Sequence, residues 1–172
     1  MRDWTAGLDP VEVAERLAVV AEAISWLRTP FRDGCDVKGP KGGIDCGMLL
    51  VRVYVDTGLV QPFDPRPYPA RWFLHRSEER YLEWLEKFAV EIPAAQAKPG
   101  DIVIYQHGLT YSHAGIIEND SYIIHAYFKE TECTRCERNQ IELTTYGKEV
   151  PSKVGQPRLV KYFDPWLKEY PG

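Results

Sequence analysis

The stretch Gly42-Gly43-Ile44-Asp45-Cys46-Gly47-Met48-Leu49-Leu50 decides how the chain is read. Two glycines and an aspartate lead into a cysteine, and that cysteine opens a nearly continuous apolar run ending at Thr57. Rich in Val and Leu, the run fits either a buried strand or a buried helix by periodicity alone. Twelve residues from Cys46 to Thr57 are long for a strand, Asp45 can cap an N-terminus and Gly58 suits a left-handed stop, so a helix is predicted. Val51, Val53 and Val55 argue mildly the other way. Cys46 then stands at a helix start, where unpaired N–H groups and the dipole lower a thiol pKa. Asp45 cuts both ways, capping the helix but raising the thiol pKa if its charge points inward.

An ordinary thiol, with a pKa of about 8.5, is only a few per cent ionised at neutral pH, so a nearby base is expected. Two histidines are placed to serve. After the turn signal Lys98-Pro99-Gly100-Asp101, strand patterns run over Ile102 to Tyr105, Tyr111 to Ile117 and Tyr122 to Tyr127, an antiparallel meander. His113 shares a face with Gly115 and Ile117, and His125 with Ile123 and Tyr127. An odd loop, of three residues (Glu118-Asn119-Asp120) or five, puts His113 opposite His125; a two-residue turn pairs His125 with Ala114 instead. The chemistry indicated is that of a Cys-His-His hydrolase.

Outward from this centre, Asp9-Pro10-Val11-Glu12 reads as a capped helix start. Val13, Leu17, Val20, Ile24 and Leu27 predict its buried face, and Pro30 an end near Thr29. Residues 31–43 read as a loop crossing toward Cys46. Between Leu59 and Arg76, four prolines (Pro62, Pro65, Pro67, Pro69) make a stiff irregular segment, either a wall of a substrate groove or an arm covering apolar surface. Ser77-Glu78-Glu79 opens a further helix buried through Tyr81, Leu82, Leu85 and Phe88. Lys129 to Asn139 reads as a long loop or hairpin tip, Ile141 to Thr145 and Arg158 to Tyr162 as short strands, and Phe163 to Leu167 as a docked tail. His75 and His107 read as surface residues.

The 172 residues form one domain by size, with 44% hydrophobic and 27% charged residues, as in an ordinary globule. A net charge of -4 provides no basic field for nucleic acid or anionic lipid. No run reaches a membrane span, and Met1 to Gly7 lack the apolar core of a secretory leader, so synthesis in the cytoplasm is expected. Cys35, Cys46, Cys133 and Cys136 are expected to be reduced. Cys133-Thr134-Arg135-Cys136 is a lone CxxC, for which a zinc site would need Cys35 and His107 as further ligands. No metal and no cofactor are expected.

Taken together, Trp26-x-x-Thr29-Pro30-Phe31, Gly42-Gly43-Ile44-Asp45-Cys46, Gly100-Asp101-Ile102-Val103, Ser112-His113-Ala114-Gly115-Ile116 and Ile124-His125-Ala126 resemble, in order, the motifs of the NlpC-type cell-wall peptidases. The resemblance implies a papain-like α+β fold, with the nucleophile at a helix start packed on an antiparallel sheet that carries the histidines. It also implies amide hydrolysis in peptidoglycan stem peptides, commonly after a D-glutamyl residue, with Cys46 as nucleophile, His113 as base and His125 orienting the base. Asp45, Phe31, Tyr105, Tyr111 and Ser112 are the candidate oxyanion or substrate neighbours. The chain departs from the family pattern at Gly47-Met48, where Ser-Gly is frequent, at Phe31, where a tyrosine is usual, and at Arg28, where glycine is common. Tyr105 or Tyr111 would have to supply the hydroxyl that Phe31 lacks. The proline-rich insertion resembles the branch carried by phage tails and gene-transfer particles, implying phage-particle proteins as partners. The alternatives are a thiol-dependent acyl or amide transferase, an amidase of other substrates, and an inactive particle component of the same fold.

Overall fold

A computed structural model describes residues 3–68 and 79–168. The chain runs α1 (Pro10–Ser25), β1 (Asp36–Val37), β2 (Gly43–Ile44), α2 (Cys46–Asp56), α3 (Arg80–Leu85), β3 (Val90–Ile92), β4 (Ile102–His107), β5 (Thr110–Ile117), β6 (Tyr122–Tyr127), β7 (Glu132–Glu137), α4 (Ile141–Thr144) and β8 (Val160–Asp164). A six-stranded antiparallel sheet, ordered β3-β8-β4-β5-β6-β7, forms the centre. The apolar run from Cys46 is a helix, as its ends require. Asp45 accepts from Met48 N at 2.8 Å, and Gly58, with φ of 78°, follows the C-terminus.

Strand alternation divides the sheet into two faces. Ile102, Ile104, Ala114, Ile116, Ile124 and Ala126 join Met48, Leu49, Leu50 and Val53 of α2 in one buried cluster. Val103, Tyr105, Ile117, Ile123 and Tyr127 occupy the other face, covered by Leu143 of α4. Every residue of β5 is buried, which makes it the axis of both layers.

Helix α1 starts where expected, with Asp9 accepting from Val11 N at 2.7 Å, but it is rotated relative to the apolar pattern. Its buried stripe is Arg16, Val19 and Ala23, continued by Trp26, whereas Leu17 is 54% exposed. The stripe is centred on a charge because that charge is satisfied. Arg16 donates to Asp101 Oδ1 at 2.6 Å, Asp164 Oδ2 at 2.8 Å and Glu12 Oε1 at 2.8 Å, and its guanidinium stacks 4.0 Å from the Trp166 ring. The contact ties α1 to the start of β4, the end of β8 and the docked tail.

Three further expectations are corrected. Glu132–Glu137 is a strand, paired with β6 from Tyr127↔Glu132 to Tyr122↔Glu137. It lacks an apolar alternation because it is an edge strand with outward charges, among them Arg135, which donates to Glu118 at 2.6 Å. Ile141–Thr144 is a helical turn, not a strand: Thr144 and Thr145 hydroxyls donate back to the Gln140 and Ile141 carbonyls at 3.1 and 2.8 Å, and Ile141 is left exposed. The last strand begins at Val160 rather than Arg158, whose buried side chain instead donates to the Gln106 and Thr145 carbonyls.

The proline-rich segment, described to Tyr68, covers α2 with Val60 and Phe63, and Phe63 stacks on Phe88 with ring centroids 4.4 Å apart. Pro69, His75 and the helix opening at Ser77-Glu78 lie outside the described residues; the helix is described from Arg80.

Candidate active site

The first turn of α2 is built by side chains from three directions. Asp45, 4% exposed, accepts from Met48 N, from Gly34 N at 2.6 Å and from the Tyr68 hydroxyl at 2.9 and 2.8 Å to its two oxygens. Burial pushes the Asp45 carboxyl upward, and those donors pull it back. The Tyr81 hydroxyl donates to the Cys46 carbonyl at 3.2 Å. Phe31 brackets the same corner from its other side. It bridges to Ile44, with Arg32 N donating to Ile44 O and Ile44 N to Pro30 O at 3.0 and 2.9 Å.

Cys46 is half-buried, and its thiol donates to the Ser112 carbonyl at 3.8 Å. Ser112 is the extra residue of a bulge, since Tyr105 pairs with His113 and Gln106 with Tyr111. Beyond the bulge, β5 pairs with β6 only at Ile116↔Ile124 and Ile117↔Ile123, so its backbone near Ser112 and Ala114 is open to the thiol. Burial, then the Asp45 charge, pushes the thiol up to about 12; the Ala114 N–H and Tyr81 hydroxyl act in the opposite sense. In this state the helix start does not produce the lowered pKa expected from its dipole, because desolvation and an adjacent carboxylate outweigh it.

The histidines meet on the other face of β5 and β6. Ile117↔Ile123 closes an odd connection of five residues, which keeps His113 and His125 on one face but sets them diagonally rather than directly opposite. Imidazoles span that offset: His113 Nε2 and His125 Nδ1 are 2.8 Å apart. Both are buried, His113 at 5% exposure and His125 at 0%. Burial holds His125 down to about 4 and His113 well below the usual histidine range, so both rings are neutral at pH 7. A neutral imidazole is the form a general base requires.

His107, expected at the surface, is 5% exposed, with its ring centroid 5.5 Å from that of His113. It ends β4 with its side chain on the histidine face, and burial lowers it to about 3. A loop-like flank in sequence concealed that register. Tyr105 lies beside His113, ring centroids 6.2 Å apart, and Tyr111 is 8% exposed with its N–H donating to Glu79 at 3.0 Å. The hydroxyls next to Cys46 come instead from Tyr68 and Tyr81 of the insertion, whose sequence has no spacing that ties it to the cysteine. Ser112 contributes its carbonyl; its hydroxyl turns to His107 O at 3.5 Å.

Cys133 and Cys136 are three apart on β7, so their thiols enter opposite faces, Cys133 in the α2 cluster and Cys136 in the Tyr105 cluster. One ion cannot take both, and all four cysteines are free. Among the described residues no group of three His, Cys, Asp or Glu side chains is placed to hold a metal. No described helix is long and apolar enough to cross a membrane.

RipB from Mycobacterium tuberculosis, a peptidoglycan hydrolase, is similar over 99% of this chain and 73% of its own, with TM-score 0.57 and 15% identity. NlpC1 from Trichomonas vaginalis is similar over 98% of this chain and 49% of its own, with TM-score 0.56 and 16% identity. RipD from Mycobacterium tuberculosis, described as a non-catalytic NlpC/p60 domain protein adapted to peptidoglycan binding, is similar over 87% and 96%, with TM-score 0.51 and 11% identity. At such identities the likeness speaks for the fold alone, a papain-like mixture of helices and antiparallel sheet. Comparison with curated protein sequences gives no match. The NlpC/P60 family model matches residues 28–148, which takes in Cys46, His113 and His125 and most of the chain. The chain therefore belongs to the NlpC/P60 family.

Proposed function

We propose that the protein is a cysteine peptidase that hydrolyses amide bonds in peptidoglycan stem peptides. The observation that carries the reading is the 2.8 Å bond between two buried, neutral histidines, His113 on β5, the strand whose backbone receives the Cys46 thiol, and His125 on the neighbouring β6. Family membership and the likeness to a peptidoglycan hydrolase support the substrate class.

In the proposed reaction substrate entry frees the Cys46 thiol from the Ser112 carbonyl, and the thiol reaches His113 through the stretch where β5 and β6 are unpaired and passes its proton to Nδ1. His113 Nε2–H donates to His125 Nδ1 and holds the ring in place. The thiolate attacks the amide carbon, and the oxyanion is met by the Cys46 N–H in the helix's first turn; such a donor is worth about 3 kcal/mol in a transition state. His113 then protonates the leaving amine, and water hydrolyses the thioester with His113 again as base. The protein, with Cys46→Ala and His113→Ala controls, is incubated with purified peptidoglycan and soluble stem peptides, and the products are analysed by mass spectrometry. Defined fragments from the parent alone are expected and would identify the bond. The same result with a non-peptidoglycan amide or an acyl acceptor alone would instead favour the broader amidase or transferase reading.

A second reading, a peptidoglycan-binding protein without turnover, is favoured by one observation: the resting thiol is bonded to a carbonyl and pushed up to about 12. Retention on insoluble peptidoglycan with no fragments, and no selective labelling of Cys46 by iodoacetamide, would decide for it. For the route to the wall we propose carriage in a phage tail or gene-transfer particle, tested by proteomics of purified particles.

A further inference from the structure

His125 is fully buried, and only one of its ring nitrogens is accounted for. Nδ1 meets His113, whereas Nε2 has no hydrogen-bond partner among the described residues. Facing that nitrogen, 3.9 Å away, is Glu130 Oε1. Glu130 lies in the turn between β6 and β7, with its N–H donating to Tyr127 O at 3.1 Å. The next residue, Thr131, has φ of 63°, a left-handed conformation that costs a non-glycine residue about 1–2 kcal/mol. That backbone is pinned by Phe31 N donating to Thr131 O at 2.7 Å and by the bridge Pro30↔Glu132. A strained and tethered turn thus holds one carboxylate against the open nitrogen of the histidine pair.

We propose that Glu130 is a positioning residue that selects the tautomer of His125 and, through it, that of His113. A neutral imidazole carries one N–H. For His113 to accept the thiol proton on Nδ1, its own proton must be on Nε2, donated to His125 Nδ1. His125 must then carry its proton on Nε2, the atom that faces Glu130. A carboxylate stabilises that N–H and opposes the alternative, in which a nitrogen lone pair would face a negative charge. In the alternative, His125 Nδ1–H donates to His113 Nε2, which leaves the His113 proton on the atom that has to receive one. A gap of 3.9 Å closes by a small side-chain rotation, and catalytic hydrogen bonds commonly tighten only when substrate binds. His107, Tyr105 and Tyr127 are the other titratable rings around the pair, and the Arg158 charge acts on His113; Glu132 and Glu142 act on Glu130, and Glu142 is paired with Lys129 at 2.6 Å.

The consequence for turnover rests on the peptidase reading, whereas the tautomer is measurable without it. Long-range 1H–15N spectra of the histidine rings of 15N-labelled protein are recorded for the parent, Glu130→Ala and Glu130→Gln, with kcat and KM for a soluble stem tetrapeptide. The parent is expected to show His125 and His113 protonated on Nε2 alone. Glu130→Gln retains that pattern, because the amide oxygen still accepts, while Glu130→Ala shows a mixture and loses about tenfold in kcat at unchanged KM. A parent protonated on His125 Nδ1, or a Glu130→Ala spectrum identical to the parent's, overturns the proposal, and the first of these needs no variant to fold. A parent that cleaves no stem peptide removes the peptidase reading, and the ring spectra still decide the tautomer.

Discussion

Replacing His125 by asparagine should remove a defined part of the protein's acid sensitivity. Burial holds the folded-state pKa of His125 down to about 4, from an ordinary value of 6.5. The unfolded chain therefore binds a proton on this residue between those values when the folded protein does not, and stability falls as pH drops through that window. The contribution is fully present above about 6.5 and is lost progressively down to about pH 4. The gap corresponds to about 3 kcal/mol at most, from 1.36 kcal/mol per pH unit. Urea unfolding of parent and His125→Asn at pH 7, 5.5 and 4 isolates the effect. Asp101 and His107, which have shifted pKa values of their own, are present in both proteins and largely cancel, whereas His113, held down in part by His125 itself, is followed separately by its ring 15N shifts. The parent should lose up to about 3 kcal/mol more than the variant between pH 7 and 4, or about 1.5 M in urea midpoint with a slope near 2 kcal/mol/M. Parallel curves for the two proteins would refute the reasoning, because they would mean that His125 is protonated as readily folded as unfolded.

Arg28, with φ of 69°, occupies a backbone conformation that suits glycine, and its side chain is exposed. Relief of about 1–2 kcal/mol of strain exceeds the entropy that glycine adds to the unfolded chain, so Arg28→Gly should gain about 0.5–1 kcal/mol, or about 2–3 °C in Tm, by calorimetry. Arg16→Met leaves Asp101 buried without its cation and Asp164 with Lys98 alone, and urea unfolding should show a loss of about 3–5 kcal/mol. Tyr81→Phe removes the hydroxyl beside Cys46 and should slow iodoacetamide alkylation at pH 8 by about fivefold, the equivalent of ~1 kcal/mol, with unfolding midpoints measured as a control.

Some of this was legible in the sequence because the forces involved are local. The Asp45 cap and the Gly58 stop frame α2 through groups within a few residues of each other, so they choose helix over strand without help from the rest of the fold. The period of two made a common face for His113 and His125 conditional on an odd connection; the sequence left the turn open, and the five-residue connection met the condition. Arg28 marks the limit of that legibility: the departure from glycine is visible in the sequence, but the φ of 69° at that position is seen only in the structure.

What the tertiary structure alone decided depends on groups far apart in the chain. Helix α1 turns a charged stripe inward because Asp101 and Asp164, 85 and 148 residues from Arg16, wait to receive it, and no periodicity of apolar residues can signal that. β7 is a strand because β6 offers an edge, not because its own residues alternate. The CxxC pair is separated by the pleat, and His107 is drawn into the histidine face by the register of β4. Around Cys46, the sequence determined the nucleophile's place at a helix start, which is a matter of capping. Its surroundings, with Tyr68 on Asp45, Tyr81 on the Cys46 carbonyl and the Ser112 carbonyl at the thiol, were decided by packing across the sheet, because desolvation and hydrogen bonding depend on which distant groups the fold brings within a few ångströms.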